Sequence, residues 1–137
     1  QEEKWYENQL NQTDSTADRN FAIEFEGRHI GGCGFHRIDW RCRSAEIGIF
    51  IGEKGLWDRG LGSDVMRTLV RHGFEELNLH RIWLRVFAEN RRAIRCYEKI
   101  GFKHEGRARE AFYREGKYMD ELHMSILDYE WREAFSQ

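Results

Sequence analysis

Proline is absent from all 137 residues of the chain. Every residue therefore keeps a backbone N–H for a helix or a strand ladder, which suits many connected strands and decides nothing about function. Cysteine is scarce: Cys33, Cys42 and Cys96 are an odd number, with no CxxC spacing. Reduced thiols fit better than a disulfide framework or a zinc module. The six histidines (His29, His36, His72, His80, His104, His123) form no HxxxH or HExxH pattern, so no metal is expected. No apolar run approaches the roughly 20 residues that span a bilayer, and no signal-peptide pattern precedes the fold. That reading has no membrane partner and a cytoplasmic location. Neither charge sign dominates: 22 Lys and Arg face 24 Asp and Glu, a formal net charge of −2. A nucleic-acid partner is not expected from that balance. The local clusters Arg91, Arg92, Arg95 and Arg107, Arg109, Arg114 read as solvated surface.

What is present is a soluble, globular composition, 40% hydrophobic and 34% charged, in a length that suits one domain over residues 1–137. The chain starts at Gln1 rather than Met, which suggests that it begins inside a longer gene product. Residues 2–10 read as a short helix, with Trp5, Tyr6 and Leu10 as its apolar positions, followed by a polar loop over 11–18. Phe21, Ile23 and Phe25 alternate with polar residues as in a strand, and a second strand follows from His29 to Arg37. Ala45, Ile47, Ile49 and Ile51 alternate with Glu46, Gly48 and Phe50, the clearest strand pattern in the chain. Residues 52–60 read as a loop. The period then changes to three and four through Leu61, Val65, Leu69, Val70, Phe74 and Leu77, an amphipathic helix. A strand over 81–87 is followed by a helix that Asn90 caps and Gly101 ends. Residues 102–109 and 118–127 read as two last strands across a polar loop. The order predicts an α/β (α+β layered) domain, with a mixed, mostly antiparallel twisted sheet flanked by helices.

The informative stretch is Trp57-Asp58-Arg59-Gly60-Leu61-Gly62-Ser63, between a strand and a helix. Glycines permit positive φ and close backbone approach, and the first amides of a helix are an anion site suited to phosphate. The GxG alone is weak. It matches neither the P-loop nor the dinucleotide spacing, since Val65 stands where a third glycine belongs. A second pattern lies after the next strand: Asn90, Ala93, Tyr97, Gly101 and Phe102 in N-x-x-A-x-x-x-Y-x-x-x-G-F.

With both patterns at their mutual spacing, the chain resembles the GNAT superfamily of N-acetyltransferases. Trp57 stands where most of that superfamily has Arg or Gln, and W-x-x-G-x-G is similar to the branch of ribosomal-protein N-terminal and spermidine acetyltransferases. Ile51-Gly52-Glu53-Lys54 and Gly116-Lys117-Tyr118-Met119-Asp120 look like the same branch, whereas Asp58 departs from its common glycine. The resemblance runs from about Phe21 to Leu127. It implies the acyl-CoA N-acyltransferase fold, with the family's first strand and helix missing from this chain.

The resemblance implies acetyl-CoA as co-substrate and a gap between the strands that end at Ile51 and Phe87. The pantetheine arm would run along the backbone of Ile49, Phe50 and Ile51. The pyrophosphate would meet the amides of residues 58–63, and Asn90 and Ala93 would contact CoA. Tyr97 would be the general acid: a thiol near pKa 8.5 leaves beside a phenol near 10, which can protonate it. On periodicity alone Tyr97 is a core aromatic, and Asn90 is an N-cap. The amine acceptor must lose a proton, and Glu46 is the candidate base, with a structural carboxylate as the competing reading; His36 is a weaker second. Cys96 has no paired histidine within reach by sequence and is not a nucleophile.

The expected activity is transfer of acetyl to a primary amine by direct attack in a ternary complex. The amine acceptor stays open among polyamines, amino sugars, aminoglycosides and protein N-termini, and a homodimer is left open. A GNAT-fold module that binds CoA without transfer is the alternative. A nucleic-acid module on Arg91–Arg95 is a more distant one, disfavoured by the charge balance.

Overall fold

Alternating apolar residues need a partner on each strand edge and a cover on one face, and the computed structural model supplies both. It describes residues 4–7, 18–52 and 54–135. The strands are β1 (Lys4–Glu7), β2 (Arg19–Phe25), β3 (Arg28–Asp39), β4 (Ser44–Ile51), β5 (Arg81–Phe87), β6 (Lys103–Arg114) and β7 (Lys117–Leu127). The helices are α1 (Lys54–Asp58), α2 (Leu61–Glu75), α3 (Arg91–Ile100) and α4 (Asp128–Phe135). Among the described residues they form one seven-stranded sheet in the order β1-β2-β3-β4-β5-β7-β6. Every pairing is antiparallel except β4 with β5, whose connection runs through α1 and α2. The mixed layered fold expected from the sequence is the fold observed.

The helical periods bury one face of each helix. Leu61, Val65, Met66, Leu69, Val70 and Phe74 of α2 are buried, as are Ala93, Cys96, Tyr97 and Ile100 of α3. They share one core with Phe35, Ala45, Ile47, Ile82, Leu84 and Ile126 of the sheet. Each large apolar side chain in it contributes roughly 1.5–3 kcal/mol by leaving water.

Three sequence expectations are corrected. Residues 4–7, expected as part of a helix, form edge strand β1, in register from Lys4 opposite Glu24 to Glu7 opposite Phe21. An open edge of β2 presents unpaired N–H and C=O groups, and a strand satisfies them where one turn of helix cannot. This segment also occupies the sheet edge that the family resemblance leaves without a first strand. The polar loop expected before β2 lies mostly outside the described residues. The loop expected over 52–60 contains helix α1. The polar loop expected between the last strands is mostly strand: β6 and β7 meet at the turn Glu115-Gly116, with φ of 52° and 76°. Two successive positive φ values are the turn that suits the twist of a hairpin. Helix α4 was not anticipated. Its Trp131 packs against Phe74 at 5.4 Å between ring centroids.

Candidate active site

β4 and β5 are in register at Ser44 with Arg81, Ala45 with Ile82 and Glu46 with Trp83, and the pairing stops there. β4 nevertheless continues to Ile51, and β5 continues to Phe87 while still paired with β7. The two ends diverge, so the β4 backbone beyond Glu46 faces a gap. This is the gap expected between the ends at Ile51 and Phe87.

Tyr97 of α3 stands at that gap, where two cavities share it and Ile49 as common wall. The first, of about 380 Å³, is lined on its polar side by His36, Arg37, Glu46 and Arg85 and on its apolar side by Met66 and Leu84. The second, of about 210 Å³, is lined by Phe50, Ile51, Trp57, Asn90, Arg92 and Ala93. Of the predicted set, Ile49, Phe50, Ile51, Trp57, Asn90, Ala93 and Tyr97 are thus brought together, and Glu46 joins Tyr97 from the other side.

Tyr97 is buried, and desolvation, with a smaller repulsion from Cys96, pushes its phenol well above the ordinary value of 10. It stays protonated across the neutral range. Cys96 is also buried and its thiol is pushed up, chiefly by desolvation, so it is no thiolate. Glu46 is buried against two guanidinium groups. Arg85 donates from Nε to Oε2 at 2.8 Å and from Nη2 to Oε1 at 3.4 Å, and Arg37 Nε lies 3.7 Å from Oε1. That hydrogen bond, ahead of the charge attraction, holds the Arg85 guanidinium above its ordinary value. His36 lines the rim, with Nδ1 3.9 Å from an oxygen of Asp18.

The glycine loop is built differently from the expectation. Gly60 is the N-cap of α2 with φ 84°, a left-handed conformation that favours glycine. Gly62 is required by packing: a Cβ there would overlap the ring of Trp57. The amide of Arg59 donates to Gly55 and Leu56 carbonyls, both at 3.2 Å, and that of Gly60 to Trp57 at 3.0 Å. Of the predicted anion-binding amides, Leu61, Gly62 and Ser63 are left as the leading N–H groups of α2, whose first internal bond runs from Asp64 to Gly60. The Ser63 hydroxyl is 3.1 Å from the Cys96 sulfur and ties α2 to α3, while the Arg59 guanidinium lies over the Phe25 ring. The Asp58 side chain falls outside the described residues. Residues 59–63 line neither cavity; Trp57 links them to the second. Asn90 caps α3, its Oδ1 accepting from the Ala93 amide at 3.3 Å, and lines the second cavity as well.

Three residues of the site escaped the sequence reading. Arg37 and Arg85 drew no attention as polar strand residues, and Arg92 was read as solvated surface. For Arg85 a signal existed: it alternates with Leu84 and Val86 in the strand next to Glu46.

A model of the acetyltransferase (GNAT) domain matches residues 1–103. The chain belongs to the GNAT acetyltransferase family. Among its relatives, a spermidine N(1)-acetyltransferase of Escherichia coli (strain K12) is 30% identical over 115 residues, 84% of this chain and 61% of that protein. YdaF of Bacillus subtilis (strain 168), named for ribosomal N-acetylation, is 34% identical over 110 residues, 80% of this chain and 60% of its own length. The chain thus spans about 60% of the length of these relatives. A solved spermidine N-acetyltransferase from Vibrio cholerae, in complex with CoA and spermine, superposes with a TM-score of 0.81 at 32% identity, over 88% of this chain and 71% of that one. Among the described residues of this GNAT chain, no helix is long and apolar enough to cross a membrane.

Proposed function

We propose that the chain, read as one GNAT domain over residues 1–137, transfers acetyl from acetyl-CoA to a primary amine by direct attack in a ternary complex. The observation that carries this reading is the placement of Tyr97 and Ile49 as the shared wall of two cavities, at the point where β4 and β5 part. Two substrates entering from opposite sides would meet there. The Vibrio cholerae relative, solved with CoA and spermine, supports a two-substrate site in this fold. A cytoplasmic setting suits the same reading.

The residues present fit a CoA thioester. The β4 edge beyond Glu46 offers backbone groups to an amide-bearing chain, and the leading α2 amides of Leu61, Gly62 and Ser63 suit phosphate. Ile49, Phe50, Ile51, Trp57, Asn90 and Ala93 would hold the group. Acetyl-CoA supplies an activated acetyl group as a thioester, from which a thiol leaves. Tyr97 holds its proton at the phenol oxygen until charge builds on the departing sulfur and then donates to it. Burial that raises the phenol also disfavours a bare thiolate beside it, so the donor remains matched to its acceptor. Glu46, with both oxygens facing guanidinium groups, stands at the amine end of the first cavity and is the base that takes the ammonium proton, directly or through water.

A thiol-release assay with acetyl-CoA and an amine panel tests this reading. Release that depends on the amine is expected. Tight CoA binding without release for any amine would leave a CoA-binding module instead.

A further inference from the structure

The polar wall of the first cavity carries two guanidinium groups among its described lining residues, Arg37 and Arg85, and the carboxylate of Glu46. Arg85 occupies both oxygens of that carboxylate, at 2.8 and 3.4 Å. Arg37 approaches it no closer than 3.7 Å and keeps 65% of its side chain exposed. Arg85 is held by Glu46 and also feels the charge of Glu121, so of the two guanidinium groups Arg37 is the more loosely paired, at the place where an acceptor must enter.

The backbone points to the same residue. Arg37 has φ 53°, in the left-handed region that non-glycine residues seldom enter. The β3–β4 register shifts between His36 and Asp39, a bulge in an otherwise regular ladder. A bulge re-aims a side chain, and strain of this kind persists where the surroundings enforce it. Here the result is a guanidinium on the cavity wall instead of an alternating strand residue. A guanidinium fork matches a carboxylate with two parallel hydrogen bonds, whereas it repels a polycation.

We propose that the acceptor is a small amino acid, an amine that also carries a carboxylate, and that Arg37 is the specificity residue that binds that carboxylate. This rests on the transferase reading and narrows its acceptor. Amino acids are therefore used in preference to polyamines, even though relatives of the chain are named for spermidine.

Thiol release from acetyl-CoA is measured with a panel of amino acids, each set against its own carboxamide, and with spermidine. The best amino acid is expected to exceed its carboxamide in kcat/KM by about 10- to 100-fold, the range of a charge-assisted hydrogen-bonded pair. Arg37→Gln is expected to collapse that ratio toward one, mainly through KM for the amino acid. Arg37→Lys is expected to keep part of the ratio, and Arg71→Gln, an equal charge loss on the exposed face of α2, all of it. Carboxamides or spermidine used as well as amino acids, or a ratio that survives Arg37→Gln in a folded variant, overturns the proposal while the transferase reading stands. No release with any acceptor, spermidine included, overturns the transferase reading and this proposal with it.

Discussion

Tyr97 and Gly62 show how two side-chain-sized decisions shape the site. The Tyr97 phenol is held protonated by burial, and its proton is needed as the sulfur departs. Tyr97→Phe should therefore lower kcat by about 10²- to 10⁴-fold with a much smaller change in KM for acetyl-CoA. The ring remains, so thermal stability should change little. Steady-state kinetics decide it; near-normal kcat returns Tyr97 to the role of core aromatic. At Gly62 the limit is steric. Gly62→Ala drives a methyl group into the Trp57 ring, an overpacking that costs about 1–3 kcal/mol in urea unfolding. Combining it with Trp57→Ala should recover much of that loss. Independent, additive losses would show that Gly62 does not owe its identity to the ring.

At the scale of elements, β6 is tied to β5 and β7 by a compact charge network. Arg81 donates both Nη groups to Glu105, at 2.7 and 2.8 Å, and the Ser125 hydroxyl donates to the same carboxylate at 2.7 Å. The Arg81 hydrogen bond, foremost, lowers the Glu105 carboxyl from its ordinary 4.5 to about 2. A folded-state value below the unfolded one stabilises fully above about pH 5 and is lost as pH falls from there toward about 2. Glu105→Gln should flatten the acid dependence of the urea midpoint across that window. An unchanged slope between pH 5 and 2 would show that the pair contributes nothing.

Elements with a strong period were legible in the sequence: β4, α2 and α3 are found where the alternations through Ile47, Val65 and Ile94 put them. The outer halves of β6 and β7 were not. Phe112, Tyr113 and Tyr118 are exposed, and the strands there have no buried face, so alternation carries no signal. β1 is too short to show a period, and it is fixed by the edge it pairs with. In the candidate site, Tyr97 and Asn90 were singled out by motif spacing, and the β4 backbone by the family resemblance. The Arg37 and Arg85 contacts with Glu46 were not, because they depend on a bulge and on where two strands part. Gly62 was legible as a glycine and misread in its cause: the demand comes from Trp57.

On the scale of the whole molecule, the sheet is two antiparallel halves with the proposed CoA slot between them. A ligand that fills the slot binds the folded chain and has no site on the unfolded one. Acetyl-CoA at about 100 times its Kd should then stabilise the fold by about 2.7 kcal/mol and raise Tm. Acetyl-CoA that leaves Tm unchanged at any concentration would argue against a slot in that gap.

The short parallel joint at Ser44, Ala45 and Glu46 also has a kinetic meaning. β2, β3 and β4 are linked by tight turns and can pair at once, but β4 reaches β5 only after the chain has closed through α2. Loop closure has to precede those contacts, which puts the joint late in folding. Ile82→Ala, at the centre of the joint, should cost about 2–5 kcal/mol. Nearly all of it should appear as faster unfolding, with the refolding rate almost unchanged and a φ-value near zero. The cleft would then be the last part of the protein to assemble and the first to come apart.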